Sequence, residues 1–223
     1  MRRKPPELIA DPQSRIVQRP GANLNALGSD HVGVHHVGVS PVGQPNKRYM
    51  YHGLVVGPCV HVAPYTAGEE FVFVEEQRPL ATTKGVVVQK FLGFPGGFAD
   101  GITTSLAAEA HRELVEEAGI KAYDALIPLR QGTAINRPSF HPYPQLSDEE
   151  SYEYLAPGAV LATDEELAEL RAKGEGTETH LQVVTMPIPK IERILSGQQA
   201  AEVPFSGPAI TTFCMAQLAL RNL

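Results

Sequence analysis

The sequence lacks three features that characterise large functional classes. Its 223 residues include two cysteines, too few for a disulfide scaffold. It has no excess of basic side chains: 25 aspartates and glutamates outnumber 19 lysines and arginines, and the net charge of −6 gives no footprint for non-specific nucleic-acid or membrane binding. It also has no apolar run long enough to span a bilayer, and the start, MRRKPPELIADP, does not resemble a signal peptide.

The two cysteines stand far apart in the chain, each in apolar surroundings. We interpret Cys59 and Cys214 as buried free thiols rather than as a disulfide. Free thiols suit a reducing compartment, so we expect a cytoplasmic protein. The acidic balance excludes a bulk electrostatic attraction to polyanions, and a polyanionic substrate would need a local basic cluster or a metal ion.

Composition changes near residue 49. Residues 1–48 are rich in Pro, Gly, His and Asn, and the stretch VGVHHVGVSPVG alternates weakly, as an edge strand or hairpin does. From Tyr49 onward, short β-branched and aromatic runs are separated by Gly-Pro and Ala-Gly-Glu turns, which predicts a strand meander. We therefore divide the chain into an N-terminal arm, 1–48, and a domain, 49–223.

The rest of the chain mixes strands with helices. Thr163 and Glu166 have the spacing of a capping box at the start of TDEELAELRAK, and a last helix is predicted from about Ser206. Further strands are expected over Tyr123–Gln131, in SYEYLA and in HLQVVTMPI, with a short helix in PKIERILSG. This order predicts an α/β or α+β sandwich with a mixed sheet.

One helix carries an unusual amount of negative charge, and Gly119 is predicted as the residue directly after its C-terminal cap. The stretch AAEAHRELVEEAGI, Ala107–Ile120, has four glutamates, of which Glu113, Glu116 and Glu117 share a face and Glu109 lies one turn earlier. Like charges at this spacing repel, whereas carboxylates on consecutive turns suit Mg²⁺ or Mn²⁺. The alternative is an acidic surface helix that its neighbouring basic side chains partly neutralise, since glutamate is a good helix former.

The glycine-rich turn PGGFADG and the helix that follows resemble the signature of the Nudix hydrolases. That signature runs Gly, five residues, Glu, seven residues, then Arg-Glu-aliphatic-x-Glu-Glu-x-Gly-aliphatic, and Arg112–Ile120 matches every specified position of the second half. The first half is altered: counted from Gly97, the early glutamate falls on Thr103 and Arg112 arrives one residue late. Counting leaves open whether Glu109 or Asp100 replaces that glutamate.

The resemblance implies a fold and a reaction. It implies an α/β/α sandwich with a mixed β-sheet and a glutamate-rich catalytic helix, and hydrolysis of the pyrophosphate bond of a nucleoside diphosphate derivative. EFVFVEEQRP is similar to a strand of the branch that hydrolyses ADP-ribose and nucleotide sugars, which makes these the expected substrates. Mg²⁺, or Mn²⁺ in its place, is the implied cofactor. Its implied ligands are Glu113, Glu116, Glu117 and the backbone carbonyl of Gly96.

Other roles follow from the same resemblance. The general base is expected in the loop KGEGTETH, where Glu178 is favoured over Glu175; if neither is the base, a glutamate of the helix takes that role. Arg78 is a candidate phosphate contact and Phe98 a candidate substrate contact. The branch often forms homodimers through N-terminal strands, so a homodimer is expected. The alternatives are another Nudix substrate (a nucleoside triphosphate, a dinucleoside polyphosphate or coenzyme A) and a non-catalytic nucleotide-binding module of the same fold.

Overall fold

The computed structural model describes residues 8–10, 32–41, 49–56, 58–82, 85–99, 105–129, 150–163, 165–166, 169 and 181–223. For residues 8–56 and 78–88 it describes the backbone alone. The chain divides into two compact units: the first comprises Met1–Gly57 and Tyr143–Glu150, and the second comprises Pro58–Pro142 and Ser151–Leu223.

The described residues contain eleven strands and three helices with defined bounds, and residues 165, 166 and 169, in the predicted helix TDEELAELRAK, are helical as well. The strands are β1 Leu8–Ala10, β2 Val32–Pro41, β3 Tyr49–Val56, β4 Cys59–Thr66, β5 Glu70–Thr82, β6 Gly85–Gly93, β7 Gly96–Phe98, β8 Ile120–Ala122, β9 Ile127–Leu129, β10 Ser151–Leu161 and β11 Gln182–Pro187. The helices are α1 Leu106–Glu116, α2 Ile188–Leu195 and α3 Gly207–Leu220. None of these helices has the length and apolar character needed to cross a bilayer.

The first unit holds a three-stranded antiparallel sheet in the order β1-β2-β3. Leu8 pairs with Pro41, and Val32 pairs with Val56. The stretch VGVHHVGVSPVG therefore forms a strand, β2, that pairs antiparallel with β3 as in a hairpin and lies in the centre of this sheet, not at its edge. Its partner β3 starts at Tyr49, the residue at which the sequence predicted the second domain to begin.

The second unit is built on a mixed sheet in the order β11-β5-β4-β10-β8, with β6 paired to β5, β7 to β4 and β9 to β10. Strands β4 and β10 are parallel, and the other pairs are antiparallel. Successive side chains of a strand point to opposite faces. In β4 this alternation sends Val60 and Val62 to one face and Ala63 to the other.

Helices cover both faces of this sheet. On one face Val60 and Val62 pack with Ala110 and Leu114 of α1. On the other face Phe71 packs edge-on against Phe213 of α3, with ring centroids 5.4 Å apart, in a cluster that also includes a residue of α2. Fully burying a side chain of this size contributes about 1.5–3 kcal/mol, so both helix layers are held mainly by apolar area. The α/β/α sandwich with a mixed sheet that the sequence predicted is confirmed.

Three local predictions need correction. Of the strand expected over Tyr123–Gln131, the described residues form only β9, and β8 precedes that range; the two pair with β10 on either side of an irregularity between Pro157 and Ala159. There Gly158 has a φ of +68°, and a Cβ on it would lie 2.3 Å from Oδ2 of Asp124, in the segment between the two short strands. The chain therefore turns where a continuous strand was expected.

The second correction concerns the end of α1 and the third the cysteines. Helix α1 is capped at its C-terminus by Glu117, and Gly119, predicted as the residue directly after the cap, takes its left-handed φ of 60° one place later. Both cysteines are free, as predicted, and Cys59 is buried, but Cys214 is exposed. Helix α3 is apolar on nearly every side, so its sequence does not show which side faces the sheet.

Candidate active site

A glycine pair at the end of the sheet meets the glutamates of α1. Gly96 and Gly97 lie in β7, and the N–H of Gly96 donates a 2.7 Å hydrogen bond to Oε2 of Glu117. A Cβ on Gly97 would lie only 2.3 Å from Oε1 of Glu113, so that carboxylate rests directly against the Gly97 backbone. Two glutamates one helical turn apart therefore converge on two adjacent glycines.

Glycine is required at both positions by close packing. A Cβ on Gly96 would lie 2.2 Å from the carbonyl oxygen of Val60, a backbone atom that cannot move aside as a side chain does. The Gly-Gly pair thus lets β7 approach β4 on one side and the helix carboxylates on the other. The opposite strand, through Val60 and His61, fixes the position of the turn.

Arg112 connects the carboxylates to one another. Its guanidinium contacts Glu109, Glu116 and Glu113, the last at 2.5 Å. The hydrogen bond with Glu109 is the main cause that raises the pKa of Arg112 above its ordinary value; burial lowers this pKa, and the charges of Glu113, Glu109 and Glu116 raise it. Arg112 is therefore charged, and it orients three carboxylates with one planar group.

The cluster carries more negative than positive charge. Helix α1 and its cap carry four glutamates, of which three contact Arg112 and the fourth, Glu117, accepts from Gly96. Glu109 and Glu113 are 2% and 5% exposed. Burying carboxylates is costly unless their charge is balanced, and one guanidinium supplies a single positive charge. His111 lies on the exposed side of the helix, where its ring hydrogen-bonds to Tyr123. The cluster is therefore suited to further positive charge.

The donor set fits a hard divalent cation. Carboxylate and backbone carbonyl oxygens are the ligands that Mg²⁺ and Mn²⁺ prefer. As the side chains stand, no three acidic, histidine or cysteine groups of the described residues lie together as a ready-made ligand set. Arg112 and the Gly96 N–H engage oxygens of these carboxylates.

Glu109 has a place in this cluster that counting could not assign. It is almost fully buried and is hydrogen-bonded to Arg112, three residues along the same helix. The i,i+3 spacing of Glu109 and Arg112 was the available signal for this pairing. Asp100, the other residue considered as a replacement for the early glutamate, lies outside the described residues.

The remaining predicted residues fall in three different situations. Phe98, 37% exposed, ends β7 directly after the glycine pair. Arg78 has its backbone in β5, opposite Gln89, and its side chain lies outside the described residues. Glu175 and Glu178 also lie outside the described residues, so Glu178 as the base stays a prediction.

Sequence reasoning missed one polar group in the sheet. Glu153 is 1% exposed in the middle of the apolar strand β10 and lies beside His61 of β4. The signal was a glutamate interrupting the run SYEYLAPG, where a strand buried on both faces would otherwise be apolar throughout.

Comparison with known proteins identifies the fold. Neither the family models nor the curated proteins gave a match to this sequence. Among solved structures, the crystal structure of an ADP compounds hydrolase superposes with a TM-score of 0.60, covering 98% of this chain and 96% of that chain at 16% sequence identity. The similarity over nearly the whole of both chains shows that this chain has the Nudix-type fold.

Proposed function

We propose that this protein is a divalent-metal-dependent hydrolase that cleaves the pyrophosphate bond of a nucleoside diphosphate derivative. ADP-ribose or a related nucleotide sugar is the first-choice substrate, and the products are a nucleoside monophosphate and a sugar phosphate. The Nudix-type fold shared with an ADP compounds hydrolase supports this class of reaction. The choice of substrate rests on the resemblance of EFVFVEEQRP to the corresponding branch.

The observation that carries the proposal is the convergence of Glu113 and Glu117 on the Gly96–Gly97 backbone. Because β7 approaches without side chains, the two carboxylates are held against its backbone, and Arg112 contacts that of Glu113. An exposed acidic helix face would have no reason to bury Glu113 to 5% exposure against a glycine. The geometry supports a binding site rather than a solvated face.

The residues of the site would have the following roles in binding the metal ion. Glu113, Glu116, Glu117 and the carbonyl of Gly96 would hold Mg²⁺ or Mn²⁺, which supplies charge neutralisation for a diphosphate and a more acidic bound water. Arg112 fixes the angle between the carboxylates. In the strand β7, the N–H and C=O of Gly96 both point away from β4, so the carbonyl faces the side on which Glu117 lies.

Three further roles complete the proposal. Glu178 would take the proton from the attacking water, as the favoured base over Glu175. Arg78 would contact a phosphate through its planar fork, and Phe98 would contact the substrate beside the glycine pair. We also propose a homodimer, which light scattering on the eluate of a gel-filtration column would test.

The experiment compares one site variant with one matched control. Wild type, Glu117→Gln and Glu192→Gln are incubated with Mg²⁺ and ADP-ribose, and AMP and ribose phosphate are quantified by chromatography. Glu192 is an exposed α2 residue that accepts a hydrogen bond from Gln217, so its substitution removes the same charge away from the site. We expect Glu117→Gln to lower kcat by about 100-fold or more, as removal of a directly acting group does, and Glu192→Gln to match wild type.

Two results would contradict the proposal. The first is a wild type that cleaves no diphosphate in the presence of Mg²⁺ or Mn²⁺. The second is a wild-type rate in Glu117→Gln. A panel with a nucleoside triphosphate, a dinucleoside polyphosphate and coenzyme A then separates substrates within the class, because each releases a different phosphorylated product.

A second candidate function is a nucleotide-binding module without turnover. It is favoured by the contacts of Arg112, which already neutralise part of the charge of Glu113 and Glu116, and by Thr103 at the position of the early glutamate. This candidate predicts that ADP-ribose binds to wild type in calorimetry and is recovered intact after prolonged incubation with Mg²⁺.

A further inference from the structure

A buried polar cluster lies in the centre of the sheet. The Glu153 carboxylate accepts hydrogen bonds from the hydroxyls of Ser151, on the same strand, and of Thr212 in α3, the latter at 2.5 Å. Nδ1 of His61 lies 3.2 Å from Oε1 of Glu153 and 3.1 Å from the Ser151 hydroxyl. The cluster thus joins α3, β10 and β4 through one carboxylate that is only 1% exposed.

His61 stands between this cluster and the glycine pair. Strand β4 lies between β10 and β7 at this level, and His61 is in register with Glu153 on one side and with Gly96 on the other. The 2.8 Å hydrogen bond from Val62 N to Pro95 O makes His61 and Gly96 a non-hydrogen-bonded antiparallel pair. In such a pair the Cα atoms are closest, and the N–H and C=O groups of each residue point away from the partner strand.

The imidazole ring fills the space that Gly96 leaves. A Cβ on Gly96 would lie 2.7 Å from Cδ2 of His61 and 3.0 Å from its Cα. On its other side Gly96 donates its N–H to Glu117 at 2.7 Å. The ring of His61 and the carboxylate of Glu117 therefore hold the same glycine from opposite sides.

We propose that His61, oriented by Glu153, is a positioning residue that fixes Gly96 and so sets the place of the Glu117 carboxylate. This inference rests on the proposed function, because it assigns Glu117 to metal binding. His61 acts through the backbone of β7 and has no contact with the reacting atoms in this role. Ser151 and Thr212 act one step further away, by fixing the oxygens of Glu153.

The chemistry of the cluster supports positioning rather than cohesion alone. A buried carboxylate loses its hydration on folding, which costs free energy that an apolar side chain does not lose. Apolar packing would therefore stabilise the sheet interior at least as well. Hydrogen bonds, unlike apolar contacts, fix an orientation. Nδ1 of His61 is held by the oxygens of Ser151 and Glu153, and this fixes the plane of the ring over Gly96. The neighbouring position on the same face, Leu155, is apolar and fully buried.

The test measures metal binding without turnover. Mn²⁺ is titrated into wild type, His61→Ala, His61→Asn and Leu155→Val without substrate, and free Mn²⁺ is followed by electron paramagnetic resonance. Changes around a ligand's supporting contacts weaken metal binding by about 10- to 100-fold. We expect about tenfold weaker Mn²⁺ binding in His61→Ala, with kcat for ADP-ribose lowered similarly and KM within twofold of wild type.

Two variants separate positioning from loss of stability. Leu155→Val removes one methylene from the same face of β10, and we expect it to lower the urea midpoint while leaving the Mn²⁺ Kd within twofold of wild type. His61→Asn keeps a planar group over Gly96 and a donor for Glu153, and we expect it to restore the Kd to within threefold. If His61→Ala does not fold, Glu153→Gln provides the comparison, with an expected threefold rise in Kd because the ring is held less firmly.

The outcomes distinguish this inference from the proposed function. If wild type binds Mn²⁺ and cleaves ADP-ribose while the His61 and Glu153 variants keep the wild-type Kd, the positioning role is refuted and the function stands. If Leu155→Val weakens Mn²⁺ binding as much as His61→Ala does, the effect is one of stability and the inference is also refuted. If wild type neither binds Mn²⁺ nor cleaves a diphosphate, the proposed function itself fails.

Discussion

Gly97→Ala is the substitution whose effect the structure defines most sharply. The added methyl would lie 2.3 Å from Oε1 and 3.0 Å from Cδ of Glu113, whereas Cβ atoms essentially never approach other atoms more closely than 3.0 Å. The difference between 3.0 and 2.3 Å requires the carboxylate to retreat by about 0.7 Å. The positions of β7 and α1 are fixed by backbone pairing and core packing, so the carboxylate moves first.

The expected loss of activity is larger than the expected loss of stability. A misplacement of about 1 Å at a catalytic site can lower the rate by about 100-fold, so we expect kcat/KM for ADP-ribose to fall by roughly 10- to 100-fold. The retreat weakens a charge-assisted bond from Arg112, worth about 1 kcal/mol after allowance for the exposure of the guanidinium. A Gly→Ala change also stabilises by about 0.4–1 kcal/mol through the unfolded chain, which nearly offsets that loss.

The assay is steady-state hydrolysis combined with urea unfolding, and Gly93→Ala is the matched control. A Cβ on Gly93 would have its nearest neighbour at 3.8 Å, so this variant should keep wild-type kcat/KM. A double-mutant cycle then tests the cause. In a Glu113→Ala background the clashing carboxylate is gone, and Gly97→Ala should cost less than about twofold. The same loss of kcat/KM in both backgrounds would refute the reasoning, since it would place the strain in the backbone.

Three further predictions concern stability. Gly158→Ala should lower the free energy of unfolding by about 2 kcal/mol or more, because the new methyl group combines a left-handed φ with a contact to Asp124. Gly197 is also left-handed but has open space around it, so Gly197→Ala should lower the free energy of unfolding by only about 1 kcal/mol. Equal losses of the two variants in urea unfolding would be inconsistent with the Asp124 contact. Ser206→Ala should cost about 1 kcal/mol in the same assay, because the Ser206 hydroxyl accepts from Ala209 N at the start of α3, and Ser196→Ala at an exposed helix end is its control. Hydrogen bonds from Lys121 and then Thr163 lower the pKa of Glu166 below its ordinary value of 4.5. The contribution of Glu166 to stability is therefore present above about pH 4.5 and lost as the pH falls below that value. Glu166→Gln should make the unfolding midpoint less sensitive to pH between 5 and 3, and an unchanged dependence of the midpoint on pH would contradict this.

Local signals in the sequence predicted much of the second unit. The capping box of Thr163 and Glu166 is confirmed by reciprocal bonds of 3.3 and 2.8 Å, and Ser206 caps α3 as predicted. The strands from Tyr49 onward, of which β3 belongs to the first unit, were recognised from short β-branched runs, although β10 continues well beyond SYEYLA. These signals depend on residues within one turn or one strand, which a single sequence displays directly.

Features that depend on distant pairings could not be predicted in the same way. Glu153 and His61 are brought together by the parallel pairing of β10 with β4, across 92 positions of sequence, and neither residue shows this locally. The break between β8 and β9 follows from the irregularity in β10 at Gly158, again a property of the partner strand. The exposure of Cys214 depends on which side of an apolar helix meets the sheet.

The parallel pairing of β4 with β10 has a consequence for folding during translation on the ribosome. Ser151 must be synthesised before it can pair with Cys59, and its hydroxyl meets His61 across 90 residues of chain. At about 5–20 residues per second, translation takes on the order of 5–20 s to supply that length. During this interval β4 of the nascent chain lacks its parallel partner β10. Co-translational chaperones would therefore have their longest access to the apolar side chains of β4 before residue 151 emerges.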